Sequence, residues 1–443
     1  MKRLIFAFAL TIAASSAYAN NYRISVWMRI YWDNPNSVAN FNTENAGQFV
    51  HEVNPFWYYF TTVNGPNGPV VVLKDKHEEP RDRPTLGNAA LVPIVRNHDT
   101  VNPDPYTPQQ YMSFIFRSEA DMNDHADKIA AMVNNNGYAG VDIDYEEMLR
   151  GGLESDVPKY RDNFTSLIRR IKKRLPNKIV SVCVYRKRSV TGEWDSSQSR
   201  IYDYRGLTEN GAADYLKIMM YNDIGSKQSL VHNQYMDEAL TFARDQVSDH
   251  KKIIVGLPWY AHNFDTGKSA NSVATPGGTV GRNINDELTF TSPFNGVQID
   301  AYALQQKILK VIRKHDVGGF AFYMSGQEMG PAIWDVVRGR IGPEGSTAVA
   351  SAPVDGTGCN GNGIISSVST PAGATNLQYN WFQSQAKCCT AVWGMPLWVA
   401  NSATSTSPAS PALPAAFHSL RVSGVTGNRV FEVEADPIRS GCP

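Results

Sequence analysis

The 443 residues carry 42 basic and 42 acidic side chains, so there is no net charge to recruit nucleic acid or an anionic membrane surface. A hydrophobic share of 42%, with 11% aromatic residues, is enough for a large core and excludes global disorder. The length exceeds what one ordinary domain needs and suits an α/β barrel with an appendage.

The chain opens "MKRLIFAFALTIAASSAYAN". Lys2 and Arg3 precede an apolar run, Leu4 to Ile12, that is too short to span a bilayer, and Ala17-Tyr18-Ala19 fits a small-x-small cleavage site. Residues 1–19 therefore read as a signal peptide rather than a buried N-terminal helix, which places the mature protein outside the cytoplasm, secreted or periplasmic. No later stretch is apolar enough to span a membrane, and a monomer is expected.

Short apolar runs then alternate with helical patterns. Strands are predicted at 23–32, 53–62, 89–97, 139–146, 178–186, 215–222, 252–260 and 318–324, several of them apolar on both faces, as parallel strands covered by helices are. Between the third and fourth, Met122, Ile129, Met132 and Val133 share a helical face, with Ser118 as cap and Gly137 as stop. Tyr160, Phe164, Leu167, Ile168, Ile171 and Leu175 mark the clearest helix, which Pro176 ends. Further helices start near Tyr235, carry Leu304, Ile308, Leu309 and Ile312, and close the series at "PAIWDVV". Eight strands alternating with helices predict a (β/α)8 TIM barrel over 20–341; a doubly wound open sheet is the competing architecture.

Residues 261–300 break the alternation, with many Gly, Asn, Thr and Ser and no helix period; they read as a long insertion after the seventh strand, expected at the C-terminal face where loops build sites. Residues 342–358 look like a linker, and 359–443 like a small, separate, β-rich module containing Trp381, Trp393 and Trp398, with a hairpin at "SLRVSGVTGNRVFEVEA". Of five cysteines, Cys183 lies in the apolar run "IVSVCVY" and reads as a buried free thiol, whereas Cys359, Cys388, Cys389 and Cys442 suggest one or two disulfides in the last module. A metal site there is disfavoured, because the module has one histidine, His418, and no C-x-x-C pair.

The chemistry concentrates in "GYAGVDIDYEEM", 137–148. Alternate residues of a strand share a face, so Asp142, Asp144 and Glu146 point into the barrel in steps of roughly 7 Å while Val141, Ile143 and Tyr145 face the helices. A calcium loop would need a turn glycine and lacks hydrophobic spacers at every other position. A solvated acidic face fits poorly with the flanking Val and Ile. Crowded carboxylates resist ionising together, which keeps one protonated near neutral pH, and a protonated Glu146 at the rim suits a general acid to a leaving oxygen. Glycosidic cleavage requires that acid, but carboxylates on one strand face cannot straddle a sugar as the usual pair does. A 2-acetamido oxygen of the substrate can supply the nucleophile instead.

"YAGVDIDYE" resembles the Asp-x-x-Asp-x-Asp-x-Glu signature of glycoside hydrolase family 18, the chitinase family, with Ala139 in place of the first Asp. The resemblance implies Glu146 as acid/base, Asp144 as the group that orients the acetamide and stabilises an oxazolinium, and Asp142 as its proton-sharing neighbour. "IMMYND" resembles the family's Met-x-Tyr-Asp, which implies that Tyr221 bonds the acetamido carbonyl, that Met219 lines the pocket, and that Asn222, where Asp is usual, bonds a sugar hydroxyl. "KIIVGLPWYAHNF" and "GGFAFYM" resemble the seventh and eighth strands, which adds Tyr260 to the substrate-binding set and implies Tyr323 as the floor of the sugar site, where Trp is usual. "VNPFWYYF" and "ALVPIVRN" look closest to the spore-germination and cortex-lytic peptidoglycan hydrolase branch. The resemblance spans about 23–340, calls for no cofactor or metal, and implies a polysaccharide containing N-acetylglucosamine as partner. Two other functions compete: a chitinase-like carbohydrate-binding protein without catalysis, and an adhesive or wall-binding role of the C-terminal module through its tryptophans.

Overall fold

The computed structural model describes residues 22–29, 36–66, 68–75, 84–97, 106–149, 153–188, 197–221, 229–270, 280–290, 295–329 and 332–338, and five strands between 374 and 440. Residues 1–19, the linker 342–358 and the four C-terminal cysteines lie outside these. The chain divides into two compact units. One comprises Arg23–Tyr260 and Arg313–Glu328 and carries the barrel; the other includes Ala261–Ile312 and the chain from Met329 onward.

All eight predicted strands form: β1 (Arg23–Met28), β2 (Glu52–Gly65), β3 (Ile94–Arg96), β4 (Gly140–Asp144), β5 (Ile179–Tyr185), β6 (Tyr215–Met219), β7 (Ile253–Pro258) and β8 (Gly319–Tyr323). Each pairs in parallel with the next, and β1 pairs with both β2 and β8. That last pairing closes the ring and decides for a (β/α)8 barrel against the open sheet. The strands are buried on both faces, which is why they read as apolar runs.

The differences from the expected bounds have local causes. β3 shrinks to three residues, with Ala90–Leu91 a separate bridge, because Pro93 between them lacks a ladder N–H; its carbonyl still accepts from Asp142 N at 2.9 Å. β2 is longer than predicted and folds back as an antiparallel hairpin with Gly68–Asp75. Its turn signal, "NGPNG", was present in the sequence. β4 ends at Asp144, so Glu146 lies just beyond the ladder.

The helices follow their caps. Ser118 Oγ accepts from Asp121 N at 3.1 Å and opens Glu119–Asn135, and Gly137 stops it at φ 68°. Val157–Arg174 buries Tyr160, Phe164, Leu167, Ile168 and Ile171. Pro108–Ile115 starts with a capping box between Thr107 and Gln110. No helix among the described residues is long and apolar enough to cross a membrane.

The insertion is more regular than its composition suggests. Ala261–Asn263, Lys268–Ala270, Val280–Arg282, Leu288–Phe290 and Gly296–Gln298 form an antiparallel sheet. Strands of three residues are too short to display alternation. The helix Ala301–Lys314 follows, and its buried Lys307 Nζ bonds Asn285 O at 3.0 Å and lies 3.4 Å from Glu287. In the C-terminal region Ala374–Ser384, Trp393–Asn401, Ala416–Thr426 and Arg429–Glu434 form an antiparallel sheet to which Ile438–Ser440 adds, and the hairpin pairs Arg421 with Glu434 through Thr426 with Arg429.

Ala139 stands where a signature aspartate was expected. Its N–H donates to Leu91 O at 2.9 Å and its carbonyl accepts from Ile179 N at 3.0 Å, so the ladder supports this entry to β4 without a side chain. The next residue must be glycine: a Cβ on Gly140 would lie 2.1 Å from the Ile179 carbonyl oxygen. Gly140→Ala is expected to cost about 1–3 kcal/mol through the forced separation of β4 and β5, read as a lowered midpoint of urea unfolding with unchanged slope.

Candidate active site

The alternation of β4 holds. Val141, Ile143 and Tyr145 are fully buried on the helix side. Tyr145 anchors the strand's exit: its ring packs edge-on against Phe60 at 4.9 Å, its hydroxyl meets His125 Nε2 at 2.9 Å, and its carbonyl accepts from Tyr202 Oη at 2.7 Å. Asp142, Asp144 and Glu146 take the opposite face, in order of depth. Asp142 is fully buried, Asp144 is 5% exposed, and the Glu146 side chain is 23% exposed.

Glu146 sits outside the ladder yet is held as if inside it. Asn97, just past β3, accepts from Glu146 N at 3.0 Å and donates to Glu146 O at 2.6 Å, so one side-chain amide continues the β3–β4 pairing by one step. The chain turns away directly afterwards, with Glu147 at φ 52°. Tyr185, at the end of β5, donates to Glu146 Oε2 at 2.9 Å. Arg96, at the end of β3, reaches Asp144 at 3.4 Å and Glu146 at 3.6 Å.

Asp142 belongs to a deeper layer. Its Oδ2 accepts from Trp27 Nε1 and from Lys217 Nζ, each at 3.0 Å, and its Oδ1 accepts from Ser181 Oγ at 2.7 Å with Cys183 Sγ at 3.7 Å. Lys217 also donates to Glu52 and, at 3.0 Å, to Asn54. Glu52 in turn holds Arg23 at 2.9 Å. Signs alternate along the chain Arg23, Glu52, Lys217, Asp142, and the last three are fully buried.

The titrations follow from this layering. Burial pushes Asp144 well above the usual carboxylate range, the charges of Glu146 and Asp142 add to the effect, and Arg96 opposes it. Burial acts to raise Glu52 as well, but Lys217 and Arg23 outweigh it and bring Glu52 down to about 2. Lys217 is held above the ordinary lysine value: burial pulls it down, and Asp142 and Glu52 more than reverse that. The Cys183 thiol is pushed well up, first by burial and then by the carboxylates, so it is an inert buried thiol, as the sequence suggested.

An aromatic wall stands beside the row. Tyr221, just after β6, stacks on Tyr323 at 5.7 Å with 21° between planes, and Tyr260 meets both edge-on at 6.2 and 5.9 Å. Tyr323 also meets Trp27 and Phe56 edge-on, and Met219 is buried in the same cluster. The indole of Trp27 thus links the wall to Asp142. Of the residues predicted for the site, Asp142, Asp144, Glu146, Met219, Tyr221, Tyr260 and Tyr323 come together at the C-terminal ends of β4, β6, β7 and β8, and Asn222 lies outside the described residues. Sequence reasoning passed over Arg96, Asn97, Tyr185, Glu52 and Lys217. A signal existed for Lys217, a lone cation inside the apolar run "YLKIMMY".

The family model of the glycosyl hydrolases family 18 matches residues 106–330, just over half of the chain. The chain belongs to that family. Solved structures of similar fold include a chitinase from Chromobacterium violaceum, 18% identical over 71% of this chain and 98% of that one, with a TM-score of 0.55. The Bacillus cereus spore cortex-lytic enzyme SleL is 17% identical over 72% of this chain and 74% of that one, TM-score 0.56. A class V chitinase from Pseudomonas fluorescens is 18% identical over 71% and 98%, TM-score 0.55. A comparison with curated protein sequences finds no match. Family 18 membership makes glycoside hydrolysis the chemistry against which the site is read.

The buried charges make stability depend on acid. Glu52 has a depressed pKa in the folded chain, so its contribution is complete above the unfolded value near 4.5 and is lost as pH falls toward 2. The expected loss is about 3 kcal/mol over that window. Urea unfolding of the wild type and Glu52→Gln from pH 6 to pH 2 checks it: the variant starts less stable and shows a shallower acid decline.

Proposed function

We propose that the protein is an exported glycoside hydrolase that cleaves β-1,4-linked N-acetylglucosamine glycans, chitin-like or peptidoglycan-like, with retention and with the substrate's own acetamide as nucleophile. One observation carries this reading: a single guanidinium, Arg96, reaches both Asp144 and Glu146, at 3.4 and 3.6 Å. Asp144 and Glu146 leave the same face of β4 two residues apart and are bridged by that one cation, which suits an acid and a stabilising anion on one side of the ring rather than the straddling acid and nucleophile of the usual retaining pair. They suit a division of labour on one side of the ring.

In that division Glu146, the most exposed of the three and steadied by Tyr185, protonates the leaving oxygen and later activates water. Asp144 accepts the acetamide N–H and balances the oxazolinium charge. Tyr221 donates to the acetamido carbonyl, Tyr323 forms the floor under the ring, and Met219 and Tyr260 line the pocket, with Asn222 bonding a sugar hydroxyl. The reaction needs no cofactor. Export rests on the basic start, short apolar run and cleavage pattern of residues 1–19. Because the fold is shared by chitinases and by a cortex-lytic enzyme, both polymer classes belong in the test.

Purified protein incubated with chitin oligomers, peptidoglycan and N-glycan core, followed by product mass analysis, is expected to release products ending in N-acetylglucosamine from an acetylated polymer and none from its de-N-acetylated counterpart. Equal rates on both would defeat substrate assistance. Glu146→Gln is expected to lower kcat by about 10²–10⁴-fold with sugar binding retained. Micromolar binding without turnover in the wild type would favour the non-catalytic carbohydrate-binding alternative.

A further inference from the structure

Asp142 lies too deep for a sugar, and its environment differs in kind from that of Asp144. Both of its oxygens are occupied by donors: Lys217 and Trp27 on one, Ser181 and the Cys183 thiol on the other. A proton on Asp142 would have to reverse the Ser181 hydrogen bond or displace another donor, and would face the Lys217 ammonium at 3.0 Å. Asp144 is the reverse case: its Oδ1 is buried without a hydrogen-bond partner among the described residues. An oxygen in that position has room for a proton.

Resting on the catalytic reading above, we propose that Lys217 is a positioning residue: by locking Asp142 as an anion, it confines the exchangeable proton of the carboxylate row to Asp144 and Glu146. Lys217 keeps its own charge because Glu52 and Asp142 flank it, and Glu52 is balanced by Arg23. The ionisable groups around this layer are Arg23 on β1, Glu52 on β2, Arg96 on β3, Asp144 and Glu146 on and after β4, Cys183 and Tyr185 on β5, Tyr215 on β6 with Tyr221 just after it, and Tyr323 on β8; β7 and β8 also present Ile254 and Ala321 to the same core. The shifts of Asp144 upward and of Lys217 upward agree with this assignment.

The consequence is directional. When Asp144 turns to the acetamide, its proton passes to Glu146, so that Asp144 carboxylic acid and Glu146 carboxylate become Asp144 carboxylate and Glu146 carboxylic acid. The proton cannot retreat to Asp142. That single transfer leaves an anion to face the oxazolinium and an acid to face the leaving oxygen.

Two measurements on the full chain test this. The first is the pH profile of kcat/KM for the wild type, Lys217→Arg and Lys217→Gln on an acetylated oligomer. Lys217→Gln is expected to move the acid limb up by about one pH unit or more, since Asp142 then takes up a proton, whereas Lys217→Arg keeps the limb in place even where kcat falls. Activity lost in both variants with unmoved limbs means a structural role and overturns the proposal. The second is infrared absorption of protonated carboxyl groups near neutral pH in otherwise wild-type protein, which tolerates loss of the Lys217 variants to misfolding. The band is expected to vanish in Asp144→Asn and persist in Asp142→Asn; loss in Asp142→Asn overturns the proposal. The infrared comparison needs no turnover. A protein that cleaves no acetylated glycan yet keeps Asp142 ionised would retire the catalytic reading and support the lock, and an active protein with an unshifted limb would retire the lock alone.

Discussion

Everything at the mouth of this barrel depends on a buried ion chain beneath it. Three charged side chains from three strands, Glu52, Lys217 and Asp142, are fully removed from water. Desolvating each is costly, and only complete mutual pairing with added hydrogen bonds offsets that cost. Asn54, Trp27 and Ser181 provide those bonds. The barrel therefore tolerates no half-formed version of this layer, because removing any one member strands its neighbour's charge. Asp142, at the end of this chain, is the deepest member of the carboxylate row, and its charge adds to the upward shift of Asp144 above it.

The row itself shows how one strand can separate three chemically identical groups. Depth and partners together distinguish them: Asp142 is surrounded by donors, Asp144 is dry and sits between the other two carboxyls with Arg96 at 3.4 Å, and Glu146 is partly wet and held by a tyrosine and the same arginine. The neighbouring strands supply the difference. Arg96 and Asn97 come from β3, Ser181, Cys183 and Tyr185 from β5, and Lys217 from β6. A period-two pattern on β4 becomes a graded site because the flanking strands end at different heights beside it.

The barrel was legible because strands buried on both faces leave apolar runs, and the carboxylate row because strand alternation sorts residues onto faces. What stayed hidden has physical reasons. Glu52 and Lys217 meet across 165 residues, and nothing local in either segment names the other. Asn97 looks like an ordinary residue at a strand end, and its role exists only because β4 stops one step short of Glu146. The strands of the insertion are three residues long, below the length at which periodicity speaks, and their polar composition reads as loop. The hairpin after β2 had its turn residues in plain view, but its strands continue a run already assigned to the barrel. Ala139 looked like a missing support because the signature was read as side chains, whereas that position is held by backbone bonds.

The ring closes through β1, the first strand, which lies between β2 and the last strand, β8. During synthesis, nearly the whole barrel must leave the ribosome before any inside exists. Until then Arg23, Glu52 and Lys217 have no dry chamber in which to meet, and hydration favours keeping them apart. The contacts that matter most are long-range, so this unit is expected to fold slowly and to assemble its ion chain late. The buried charges thus oppose the early collapse of a partial barrel.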